Sequence, residues 1–145
     1  MTTTRKALPA IVSALALATA SFLATARADD PPGPTPHRVK YTVTAAQPTR
    51  ADIYYLDNEP PRFDMWSHNP FEWMPNIKAD VGPNQPWVFE LMLNNPDQWA
   101  TVTASTGKWY NQTLTPMFHC DVTVDGAVVA SKDGPKGVLC SMRNW

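Results

Sequence analysis

Charge is scarce in this 145-residue sequence. Asp, Glu, Lys and Arg together make up 17% of it, and the formal net charge is -1. Average soluble domains carry about a quarter charged residues. Without a basic excess there is no electrostatic footing for nucleic acid. With 3 histidines and 2 cysteines, there is too little material for an elaborate metal or redox centre, so no metal and no cofactor is expected. Nor is there a G-x-S-x-G, an HExxH or a P-loop. Asp52, Asp57, Asp64 and Asp80 pair, if at all, only through folding, and the sequence is not read as an enzyme. Past residue 28 no apolar run is long enough to span a bilayer.

What is present begins with an export signal. Arg5 and Lys6 form a short basic start, residues 7–24 are rich in Ala, Leu, Ile and Val, and no acid precedes Asp29. The stretch ends in Ala26-Arg27-Ala28, whose small residues at the -3 and -1 positions suit a signal peptidase, so cleavage is expected between Ala28 and Asp29. The alternatives are a cut after Ala26 and an uncleaved N-terminal helix acting as an anchor. Export to the cell envelope, or secretion beyond it, follows.

All but one of the 15 prolines lie after this segment. Proline at that density excludes a helical bundle and favours short strands joined by turns. Residues 29–38 are expected to be a proline-rich tether, and the domain to run from Val39 to Trp145. Val39, Tyr41 and Val43 alternate with polar residues as a half-buried strand does, and Ala51–Leu56 makes a second strand. Residues 60–86 contain six prolines. They allow at most a helical turn near Phe63–His68 and a short strand near Ile77–Val81. Trp87–Leu93 and Trp99–Ser105 alternate again, with Trp87 expected in the core, and Gly137–Met142 is the last strand. Asp125-Gly126 between two alternating runs predicts a tight hairpin. Pairing Val124 with Ala127 then places Val122 opposite Val129 on one apolar face. About seven short strands in so few residues predict an all-β, immunoglobulin-like sandwich with an irregular proline- and aromatic-rich loop. Two cysteines in an exported chain predict a single disulfide, Cys120–Cys140.

With the strands, the hairpin and the cysteine spacing assembled, the chain resembles the MmpS family of small exported mycobacterial proteins. The stretches that carry the likeness are Tyr41-Thr42-Val43, Ala51-Asp52-Ile53-Tyr54-Tyr55, Pro86-Trp87, and Cys120 through Gly126 with Val128, Val129 and Cys140. The resemblance implies an immunoglobulin-like sandwich outside the cytoplasmic membrane. It also implies a partner, an MmpL-type transporter or its lipid or siderophore cargo. The chain departs from that family in its cleavable type of signal and in the longer stretch 60–86.

The candidate binding residues are Phe63, Met65, Trp66, His68, Phe71, Trp73 and Met74. So many rings and thioethers in a proline-broken segment either line a groove for an apolar ligand or partner, or fold back over a sheet edge as a satellite core. Asp64, His68 and Glu72 would share one face of a helix, but Pro70 breaks it and no metal site is expected. Two functions follow. One is an exported, non-enzymatic accessory protein of envelope export. The other is a free secreted protein that holds an apolar ligand or a partner protein through residues 63–74. A purely structural sandwich is the third reading.

Overall fold

The structure, a computed structural model, describes residues 33–107 and 115–143. The signal segment 1–28 with its cut site, the start of the tether, Trp109, Tyr110 and the Asn111-Gln112-Thr113 triplet lie outside the described residues.

Eight strands form two antiparallel four-stranded sheets. They are β1 (His37–Ala45), β2 (Thr49–Tyr55), β3 (Asn76–Val81), β4 (Trp87–Leu93), β5 (Thr101–Ser105), β6 (Phe118–Val124), β7 (Ala127–Gly134) and β8 (Gly137–Ser141). One sheet has the order β4-β1-β6-β7 and the other β3-β2-β5-β8. The sandwich expected from the alternating runs is therefore present. The short strand expected near Ile77–Val81 is β3, which begins at Asn76 and forms in full because Pro75 and Pro83 flank it rather than interrupt it. The first strand opens at His37, so His37 and Arg38 belong to the sheet rather than to the tether.

Alternation sets the core. Val39, Tyr41, Val43 and Ala45 of β1 are buried, as are Ala51 and Ile53 of β2, Val102 and Ala104 of β5, Phe118, Cys120 and Val122 of β6, and Val138 and Cys140 of β8. Period-two patterning of this kind delivers one face of each strand to the space between the sheets. A covalent and a polar tie between described residues cross that space. Cys120 and Cys140 are disulfide-bonded with their Cα atoms 6.0 Å apart, joining β6 of one sheet to β8 of the other. The buried Tyr41 hydroxyl accepts a hydrogen bond from the Thr101 backbone N–H at 3.3 Å, joining β1 to β5. Burial pushes the Tyr41 phenol far above its ordinary range, and the Thr101 bond opposes that only in part.

Three local expectations are corrected. The Asp125-Gly126 turn is there, with both residues at positive φ (49° and 89°), and Val124 pairs with Ala127. However, a bulge between Val122 and Thr123 sets Val122 opposite Ala130 rather than Val129. A bulge adds one residue to one strand and bends it, and here it leaves Val128 and Val129 exposed on the edge strand. Trp87 is half-buried rather than core. Its strand is an edge strand of its sheet, on which Trp87, Phe89 and Leu91 are all only partly covered. Trp99 does not open a strand. It closes a short helix, α2 (Pro96–Trp99), whose first turn is capped by the Asn95 side chain accepting from the Gln98 N–H.

Candidate functional site

The aromatic segment leaves β2 and returns to β3. Its base is closed by the Asp57 N–H donating to the Trp73 carbonyl at 3.2 Å. Within it, helix α2's predecessor α1 (Phe63–His68) forms where a helical turn was expected. Arg62 forks onto the Asp64 carboxylate at 3.0 and 2.6 Å, which holds that carboxyl below its usual range. The Ser67 hydroxyl donates to the Asp64 carbonyl. Asn69 then turns the chain, and Pro70–Glu72 makes a single 3₁₀ turn. The Trp73 and Met74 N–H groups both donate to the Pro70 carbonyl, so the proline that breaks the helix also fixes the turn that follows.

The seven candidate residues divide into two sets. Trp73 and Met74 are buried and belong to the core. They are corrected from groove-lining to anchoring residues, because the 3₁₀ turn swings them inward just before β3. Trp66 is half-buried, its ring 6.3 Å from the buried Trp99 and 5.6 Å from Phe63. Phe63, Met65, His68 and Phe71 are exposed. Helix α1 has no buried residue at all. Arg143 lies over the Phe63 ring at 4.1 Å, a cation–π contact that steadies the ring without covering it. Phe71 stands on the other side of the segment, 69% exposed, with its centroid 5.9 Å from Tyr54. The segment therefore has buried anchors at its end and exposed rings along it. Among the described residues no group of histidine, cysteine or carboxylate side chains could hold a metal ion.

Other features were not anticipated. Tyr55 of one sheet and Trp87 and Phe89 of the other form a half-buried ring cluster with centroids 4.6 to 6.2 Å apart. On the outer face of the β3-β2-β5-β8 sheet, Asp52, Tyr54, Asn76, Lys78, Ser105, Thr106 and Gly107 line a concavity of about 460 Å³. The signal for that face is the parity of β2: if Ala51 and Ile53 point in, Asp52 and Tyr54 point out. On the other sheet, His119 bridges Asp133 (2.8 Å) and Asp121 (3.2 Å). The bond to Asp133 raises its pKa, partial burial opposes the rise, and Asp121 adds to it. His37 bonds Asp125 at 2.6 Å, and Asp125 also accepts from the Arg38 N–H.

A family model described as the Rv2576c beta-sandwich domain matches residues 41–140. The chain is 42% identical over 122 residues to the protein named "Uncharacterized protein Rv2576c" of Mycobacterium tuberculosis, covering 84% of this chain and 74% of that one. The same figures hold for "Uncharacterized protein Mb2606c" of Mycobacterium bovis. The likeness is thus to mycobacterial β-sandwich proteins, and nothing in it indicates the MmpS family.

Proposed function

The chain belongs to the Rv2576c β-sandwich domain family, and from that premise we propose that it is an exported, non-enzymatic binding protein of the cell envelope that holds an apolar ligand against the α1 segment. The observation that carries this reading is the state of Phe63 and Met65, 40% and 42% exposed on a helix that buries nothing. Trp73 and Met74 anchor the end of the segment in the core, and Trp66 and Phe63 rest against Trp99, yet these contacts leave Phe63 and Met65 open on their outer sides. Exposed large apolar groups on an anchored loop are characteristic of contact surfaces. The disulfide is compatible with an oxidising, exported location.

The finer reading, service to an MmpL-type transporter or its lipid or siderophore cargo, draws on stretches whose residues have structural work. Cys120 is in the disulfide, Val122 in the core and Asp125-Gly126 in the hairpin turn. Those positions support a sandwich and are silent on a partner, so the apolar-ligand reading takes precedence. It is tested by lipid analysis of the protein recovered from a mycobacterial host. Bound lipid is expected on the parent and lost in the double variant Phe63→Ser, Met65→Ser, whose melting should be nearly unchanged. Equal lipid on parent and variant, or none on either, would overturn it.

A further inference from the structure

We infer that the concavity on the outer face of the β3-β2-β5-β8 sheet is a second binding site, built for a neutral carbohydrate. Register brings its lining together. Asp52 pairs with Lys78 on one side and Ser105 on the other, and Tyr54 pairs with Asn76. All five side chains therefore project from the same face of three adjacent strands. Thr106 and Gly107 close the end. A Cβ added at Gly107 would lie 2.2 Å from the Asp52 carboxylate, and its φ is +69°. Only glycine lets the backbone pass this close to Asp52.

The chemistry of the lining selects the ligand class. The cation in the groove, Lys78, is bonded to Asp52, and in the next row Arg50 is paired with Asp80. Among the described residues that line the groove the charges are thus paired, which disfavours phosphate, carboxylate and amine ligands. What it does offer is a mixture of donors and acceptors: an ammonium, a carboxylate, an amide and hydroxyls from Tyr54, Ser105 and Thr106. The Asn76 amide donates to the Ile53 carbonyl at 3.3 Å, which fixes the group and leaves its oxygen as an acceptor. Vicinal hydroxyls, each both donor and acceptor, match such a lining.

A purely polar groove would suit many ligands, but this one is flanked by rings. Tyr54 is half-buried and Phe71 stands against it at the rim, largely exposed. A pyranose has polar edges and an apolar C–H face, and rings beside hydrogen-bonding groups meet both. The volume lies within the range of small-ligand sites. The site is separate from the Phe63–Met65 surface and does not depend on it.

The test is an amide NMR titration of the full chain with maltotriose, cellotriose and mannotriose, with inorganic phosphate as a fourth probe. Shifts confined to residues 52–54, 76–78 and 105–107 are expected with at least one of the sugars and not with phosphate. Affinity should fall about tenfold in Asn76→Ala, the loss of roughly one good hydrogen bond. Lys78→Gln, a second exposed variant, should also weaken binding while its spectrum shows the fold intact. Silence with all three sugars, equal response to phosphate, or shifts centred on residues 63–66 instead would overturn the assignment.

Discussion

Trp73 carries a conflict that is visible at one atom. Its ring is buried, yet its indole N–H is enclosed without a hydrogen-bond partner among the described residues. An unpaired buried donor costs about 1–3 kcal/mol, so the ring must be kept for its packing. Trp73→Ala is expected to cost about 3–5 kcal/mol, and Trp73→Phe far less, because it removes the orphaned donor along with part of the ring. Denaturant melts of the two variants check this. Trp73→Ala should also prove at least as costly as Trp87→Ala, the reverse of what strand periodicity suggests. His119 supplies the pH dependence. Its pKa in the fold is raised above the unfolded value, about 6.5. The stabilisation it brings is therefore fully present below that value and disappears as pH climbs through the raised one. The difference in melting temperature between the parent and His119→Gln should be largest in mild acid and shrink toward alkaline pH. A difference that grows with pH would contradict the assignment.

At the scale of elements, alternation made the strands legible but not their neighbours. β1 and β4 alternate equally well, and nothing in either run says that β1 sits between two strands while β4 is an edge. That is why Val43 is buried and Trp87, its register partner, is only half-covered. The same blindness hid the hairpin bulge, since one inserted residue depends on how β6 meets β1 as well as β7. The candidate segment was legible as a helical turn with aromatic load. The division into anchors and open rings was not, because it rests on the direction of a single 3₁₀ turn. The register has a measurable outcome. Val122→Ala should cost roughly 1.5–3 kcal/mol as a loss of buried surface. Val129→Thr, at the unpaired bulge residue and exposed, should stay within about 0.5 kcal/mol of the parent.

Across the whole molecule, the covalent and the polar tie between the sheets can each be cut alone. Reducing Cys120–Cys140 releases a constraint with a sequence separation of 20, worth roughly 3 kcal/mol in the chain-entropy picture. The melting temperature should fall while the strand signature in circular dichroism survives at low temperature. Tyr41→Phe leaves the Thr101 N–H buried and unpaired, for a cost of about 1–3 kcal/mol. Register sets Cys120 opposite Val43 on the strand of Tyr41 and Cys140 opposite Val102 beside Thr101, so the two losses are expected to couple rather than simply add.

The position of β1 also governs when the chain can fold. It comes first among the described strands, yet its two neighbours lie much later in the chain: His37 meets Leu93, and Val39 meets Val124. Long-range pairing of this sort is slow, since chain closure must precede any reward from contact. An emerging chain therefore has no partner for β1 until β4 has appeared, and β1 is flanked on both sides only once β6 follows. On the proposed export route, the delay written into the strand order keeps the sandwich open while the chain is still passing, and folding begins where passage ends.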